Sequence, residues 1–327
     1  MKDLIANFPG QLREAVSIAE NSVLNIPAHK IQNVLITGLG GSGIGGTIAA
    51  EIAARQTPVP IVVSKGYFVP DWVSDRTLVI ASSYSGNTEE TINALDLAIS
   101  RKAKVVCITS GGKIAEIARQ NNFDLVIVPG GFPPRACLGY SLVQVLHVLH
   151  TFGCIVNDPL PELTSSAELI EKNLLRIQEE AQKITTFLKG KIPVLYATTY
   201  REGIAIRWRQ QINENSKMLC WHHVVPEMNH NELVGWRIED HDLAVLYLRD
   251  KADFERNQKR FEVNKEVILK CTPNLMETWS EGNSVIEKAI WQIHLGDWVS
   301  WYLSVERGVD ATEVKVIDHL KSELSKF

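Results

Sequence analysis

Two turns in this sequence carry the residue types that anion chemistry needs. Ser82-Ser83-Tyr84-Ser85-Gly86-Asn87-Thr88-Glu89-Glu90 follows the apolar run TLVIA and precedes an amphipathic pattern. Hydroxyls therefore gather where the first amides of a helix lack intrahelical partners, a combination that suits a phosphate monoester. Asn87 and Glu90 stand at capping-box spacing, which explains a helix start but not the further hydroxyls and the glycine in the same turn. The second turn, Gly38-Leu39-Gly40-Gly41-Ser42-Gly43-Ile44-Gly45-Gly46, also lies between a strand pattern and a helix pattern. Its amides and the helix dipole form an anion site that glycines let a ligand approach; alternatively, the glycines serve only a tight turn and close helix packing. G-x-G-x-x-G is satisfied, but a dinucleotide also needs an acidic residue closing the next strand, and PIVVSKGY ends in Ser64 and Lys65. Neither turn contains the Gly-Lys-Ser/Thr of a P-loop, which disfavours nucleotide triphosphate hydrolysis.

The elements that must hold these turns alternate. NVLITG, PIVVS, TLVIASS, KVVCITS and FDLVIVPG read as strands, separated by the helical patterns GIGGTIAAEIAARQ, EETINALDLAISRKA and KIAEIARQNN. Near-continuous apolar strands between helices indicate an α/β fold with a mainly parallel sheet covered on both faces. A helix from Leu142 to Phe152 closes this half. Residues 156–190 are charged and helical and read as connecting helices between a domain over 1–155 and a second over 191–327. The alternation restarts there with KIPVLYATT, a helix from Gly203 to Asn215, runs around SKMLCWHH, LAVLYLRD and KEVILKC, and a long helix from Ser284 to Arg307. VLYATTYREGIAIRWRQ occupies the place that VLITGLGGSGIGGTIAAE has in the first half, so the halves read as a diverged duplication.

Composition bounds the function. The 327 residues favour two domains, and 45% apolar content suffices to bury both. A net charge of −4, from 34 basic against 38 acidic residues, advertises neither nucleic acid nor a membrane surface as partner. No apolar run reaches the roughly 18 residues of a membrane span, and MKDLIANFPG lacks the pattern of a secretion signal, so a cytoplasmic location is expected. Five scattered cysteines without a C-x-x-C pair argue against a disulfide framework or a thiolate zinc site. His147 and His150, and Trp291, Trp298 and Trp301, sit on apolar helical patterns and read as packed core or interface.

The S-x-S-G-x-T element formed by Ser83, Ser85, Gly86 and Thr88 resembles the phosphosugar-binding SIS domain. GLGGSGIGG, SSYSGNTEET, PGGFPPRACLGYS, RWRQQINENSK, PEMNHNELVGW and DATEVKVIDHLK together resemble the bifunctional phosphoglucose/phosphomannose isomerases, over nearly the whole chain. The resemblance implies two tandem SIS-like domains and an aldose–ketose isomerase acting on glucose 6-phosphate, and on mannose 6-phosphate, through an enediolate to fructose 6-phosphate. It implies no cofactor and no metal. Gly41, Ser42, Ser83, Ser85 and Thr88 would hold phosphate or sugar, and Arg135, stiffened by two prolines, would stabilise the enediolate. Glu214 would be the proton-shuttling base, a role that a partly desolvated cleft favours. His230 would open the ring from across the interface of a homodimer, assisted by Lys321, with Lys315 as the reserve. A threonine near Thr312 is linked in relatives to the mannose epimer, but the common Asp-Pro-Thr-Pro reads Asp310-Ala311-Thr312-Glu313 here, and Cys137 replaces a small residue.

Each residue also has a plainer reading. Glu214 could be a solvated helix-end carboxylate, Arg135 a surface ion pair, Thr312 an N-cap, and His230 a histidine bonded to its neighbours. His222, His223, Glu227 and His230 could form a metal cluster, although their spacing fits no standard ligand pattern. The competing function is a SIS-type regulator that binds phosphosugar without turning it over; it would need the phosphate turns but not Glu214, His230 and Lys321 together.

Overall fold

The apolar runs of the first half become buried parallel strands. A computed structural model, describing residues 1–324 and 326, begins with α1 (Lys2–Ala6) and α2 (Phe8–Glu20) and then alternates. The order is β1 (Asn33–Thr37), α3 (Gly40–Ala53), β2 (Ile61–Ser64), β3 (Thr77–Ser82), α4 (Glu89–Ser100), β4 (Lys104–Thr109), α5 (Gly112–Gln120), β5 (Asp124–Ile127), α6 (Leu138–Thr151) and α7 (Leu160–Lys172). The strands form one parallel sheet in the order β2-β1-β3-β4-β5. All six residues of β3, at its centre, are buried, which is why this strand shows no polar alternation. Helix α3 packs on α6 where Gly45 faces Ser141, a contact with no space for a side-chain carbon on the glycine.

The second half continues with α8 (Leu174–Leu188), β6 (Ile192–Thr198), α9 (Glu202–Ser216), β7 (Trp221–Val225), β8 (Leu243–Arg249), α10 (Glu255–Ile268), β9 (Leu275–Trp279), α11 (Val285–Glu306) and α12 (Lys315–Leu324). Its sheet is parallel, in the order β7-β6-β8-β9. The first four strands of each half thus have the same spatial order, as a duplication requires. The contacts divide the chain into two compact units. One comprises residues 6–172 and 282–291, the other 1–5, 173–281 and 292–327, so the helical stretch read as a connector is shared between them.

Several boundaries differ from the sequence pattern. Helix α3 begins at Gly40, not Gly43, and so includes part of the glycine turn. KEVILKC does not extend the sheet; its residues through Ile268 end α10, where Phe261, Asn264 and Ile268 share the buried face at helical spacing. A short apolar run does not by itself separate strand from helix, and the strand here is the less apolar LMETW of β9. All five cysteines are buried and none forms a disulfide. Among the described residues no helix is long and apolar enough to cross a membrane.

His294 lies fully buried on α11, accepting a 3.2 Å hydrogen bond at Nε2 from Trp298 Nε1. Burial pushes its pKa down to about 3. Because the folded value lies below the unfolded one, the native state resists protonation, and stability is lost as pH falls below the unfolded histidine range near 6.5. Between pH 7 and pH 5 this residue should cost about 2 kcal/mol. Urea titrations at the two pH values should show that loss reduced in His294→Gln, which retains an acceptor for Trp298; an identical loss in both proteins would contradict it.

Candidate active site

In the first sheet β1 and β3 are neighbours whose following connections lead to opposite sides, β1 to β2 and β3 to β4. Such a switch point leaves a crevice beyond the carboxyl ends of the strands, and the two turns flank it. Ser42, buried in the first turn of α3, accepts a hydrogen bond at Oγ from the Tyr84 amide, 3.0 Å away, tying the glycine turn to the hydroxyl turn. Buried Ser83 pairs its hydroxyl with that of Thr88 at 2.9 Å. Exposed Ser85 accepts from the Asn87 amide at 3.3 Å. Gly86 adopts φ +70° directly against the carbonyl of Gly111, where any side chain would collide.

Local chemistry then departs from the capping-box expectation. The N-cap of α4 is Thr88, and its side chain makes no capping bond. Asn87 instead accepts at Oδ1 from the Lys113 amide at 3.0 Å. The first-turn amides of α4 are therefore not consumed by a side-chain cap, and Ser83 and Thr88 hydroxyls stand beside them, the combination an anion needs.

Arg135 is not a surface residue. It is buried in a short turn, Pro134–Ala136, at 5% exposure. Gly41 packs against this turn so closely that a β-carbon would lie 2.5 Å from the Pro134 carbonyl oxygen. Gln11 of α2 clamps the same turn from below, donating to the Ala136 carbonyl and accepting from the Gly139 amide, each at 2.8 Å. Gly41, Ser42, Ser83, Ser85, Thr88 and Arg135 are thus held by one interlocked set of turns. Gln11 and Tyr84, which belong to it, carry no sequence signal: a lone glutamine on an amphipathic helix looks like any surface residue.

The corresponding crevice of the second unit is filled. At the end of β8, Asp250 pairs with Arg201, and Asp253 accepts from Thr198 Oγ1 at 3.0 Å and from the Asp250 amide at 3.1 Å. Burial pushes the Asp253 carboxyl up. Carboxylates take the donors that the first unit leaves for a ligand, so an anion is repelled here.

This unit instead carries Glu214, His230 and Lys321. Most of the polar residues around Glu214 are structural. Arg207 grips Asp297 with Nε and Nη2 at 3.2 and 3.0 Å, Gln211 Nε2 donates to Asp297 at 2.9 Å, and Asn215 Nδ2 donates to Ser300 at 2.9 Å. These residues recur every four positions on the face of α9 that packs on α11. Half-buried Glu214 stands seven residues after Arg207, near the helix end. Lys217, in left-handed conformation, closes α9 and donates from Nζ to the carbonyls of Glu214 and Glu313, both at 2.6 Å. The Asp310–Glu313 segment with Thr312 is thereby held beside the end of α9. His230 is exposed in the short turn Glu227–His230, and Lys321 is exposed on α12, which buries no residue. Among the described residues no group of three or more His, Cys, Asp or Glu side chains could hold a metal ion. His222 is near Glu202 at 3.6 Å, and burial pushes its pKa down to about 4.

Comparison with known proteins covers both halves. The family model for the SIS domain matches residues 29–131, and that for the bacterial phospho-glucose isomerase C-terminal SIS domain matches 177–324. The chain is 38% identical to the bifunctional phosphoglucose/phosphomannose isomerase of Caldicellulosiruptor bescii, over 100% of this chain and 99% of the relative. It is 36% identical to the protein of the same name from Aquifex aeolicus, over 90% and 91%. Among solved structures, the C-terminal domain of glucosamine-fructose-6-phosphate aminotransferase from Francisella tularensis superposes with a TM-score of 0.74 at 15% identity, covering 95% of this chain and 97% of that one, a likeness of fold.

The contact between Gly41 and Pro134 predicts that Gly41→Ala loses about 1–3 kcal/mol of stability, the usual cost of overpacking against backbone. Urea unfolding measures it; an unchanged midpoint would show that the two turns have slack.

Proposed function

Because the chain belongs to the bifunctional phosphoglucose/phosphomannose isomerase family, we propose that it interconverts glucose 6-phosphate, and mannose 6-phosphate, with fructose 6-phosphate. The observation that carries this assignment is the convergence of the Ser83–Thr88 hydroxyls, the start of α3 and buried Arg135 at one sheet crevice. A dianionic phosphate would accept hydrogen bonds from Ser83, Ser85, Thr88 and the first-turn amides of α4. Gly41 and Ser42 would hold the sugar.

Chemistry at C1 and C2 then needs a base and a charge. Glu214 removes the proton from one carbon and returns it to the other, so the carboxylate is regenerated in each turnover. Negative charge that develops on the substrate oxygens is met by the Arg135 guanidinium, whose clamped turn avoids reorganisation in the transition state. Ring opening falls to Lys321 and to the partner subunit's His230, in a homodimer with two composite sites. The exposure of His230 and the absence of buried residues on α12 agree with elements completed by another subunit. Lys315 is the reserve for the lysine. The reaction needs no cofactor, and a cytoplasmic location accompanies it.

Glu214→Gln should reduce turnover on glucose 6-phosphate and mannose 6-phosphate by about 10²–10⁴-fold, the usual contribution of a positioned general base. Thermal protection by glucose 6-phosphate should persist in the variant, since the phosphate turns are untouched. Assays coupled to product formation, run with a chelator present, measure both substrates. Full activity of the variant would remove Glu214 from the mechanism; protection without turnover in the unaltered protein would favour the regulator.

A further inference from the structure

Tyr84 sits between the phosphate-binding serines, yet no step assigned above uses its side chain. Its main chain is committed: the amide donates to Ser42, and the carbonyl accepts from the Ser110 amide at 2.9 Å and the Ser110 hydroxyl at 2.6 Å. Tyr84 lines a small space together with Gly41, Ser42, Pro134, Cys137 and Tyr140. The phenol oxygen, at the far side, accepts a hydrogen bond from the Phe132 amide at 3.2 Å.

That last bond reaches the approach to Arg135. The chain leaves the sheet at Val128, whose amide bonds Thr109, and passes through exposed Gly130, Gly131 and Phe132 before the Pro133–Cys137 turn. Gly131 has φ +92°, so this approach includes a residue with little intrinsic preference for one conformation. The turn that follows is internally bonded, from the Ala136 amide to Pro133 and from the Cys137 amide to Pro134, so its shape is set locally. Its orientation depends on how its two ends are tied. Gln11 holds the distal end at Ala136, and the Tyr84 hydroxyl meets both ends, accepting from the Phe132 amide and pairing with the Cys137 side chain.

Resting on the isomerase assignment, we propose that Tyr84 is a positioning residue that acts through Arg135, its hydroxyl fixing the guanidinium-bearing turn relative to the phosphate turn. One residue thus spans the anchor for the ground-state phosphate and the group that meets transition-state charge. Loss of the hydroxyl leaves the serine hydroxyls and helix amides in place, so substrate binding persists while the guanidinium is no longer aligned when the enediolate forms.

Tyr84→Phe retains the ring and removes the hydroxyl with both its contacts, to the Phe132 amide and the Cys137 side chain. Its kcat on glucose 6-phosphate should fall by about tenfold, the scale of lost hydrogen-bonded alignment. KM, the inhibition constant of inorganic phosphate and the melting temperature should stay close to those of the unaltered protein. In an Arg135→Lys background the same substitution should cost less than about twofold, because residues that act as a unit are not additive. An undiminished kcat, a loss expressed in KM or phosphate inhibition, or a full tenfold loss in the Arg135→Lys background would each overturn the proposal. A lack of hexose phosphate isomerisation in the unaltered protein would be a different failure, that of the isomerase assignment, and the proposal would fall with it.

Discussion

Room for one methyl group is missing at the centre of this molecule's first unit, and most of the site follows from that. Gly41 touches the Pro134 carbonyl, Gly86 touches that of Gly111, and Gly45 touches Ser141. These contacts press the turns after β1, β3 and β4 and the Arg135 turn into one body at the end of the sheet. Close packing and ligand approach had been alternative explanations of the glycines. They are compatible, because tight packing behind the turns keeps hydroxyls and amides in place in front of them. A preorganised site of this kind stabilises developing charge without paying for rearrangement during the reaction.

The two units show how one topology can support opposite electrostatic outcomes. Both have the order second, first, third, fourth strand, and both have a crevice at the same switch point. In the first, the turn after the third strand offers alcohols and uncapped amides. In the second, Asp250 and Asp253 occupy the equivalent turn and satisfy its donors internally. A duplicated fold therefore need not duplicate the chemistry of its turns: hydroxyls stand in one unit where carboxylates stand in the other.

Helix α9 illustrates a division of labour along one motif. Arg207, Gln211 and Asn215 are polar, buried and spent on α11, with Asp297 meeting the guanidinium in bidentate fashion. A buried ion pair of this geometry is costly to break, since removal of one partner strands the other charge. Its physical consequence is rigidity: α9, which also carries Glu214, is pinned to α11 and has little freedom to slide. Lys217 extends the same restraint to the segment that holds Thr312.

The sequence by itself determined the α/β alternation, both phosphate-type turns, the tandem repeat and the motifs that mark the family, because each is written in local patterns of a few to about fifteen residues. It could not separate α10 from a strand at KEVILKC, where a short apolar run fits either period. It also implied a capping box at Asn87, whereas Thr88 became the N-cap and paired its hydroxyl with that of Ser83. Only tertiary structure decided that Arg135 is buried, that Gln11 grips a turn 125 residues away, and that Tyr84 joins two turns through its hydroxyl. The physical reason is range: periodicity reports which face of an element is apolar, while the partner of a single polar atom is chosen by whichever distant backbone group the packed chain brings within about 3 Å.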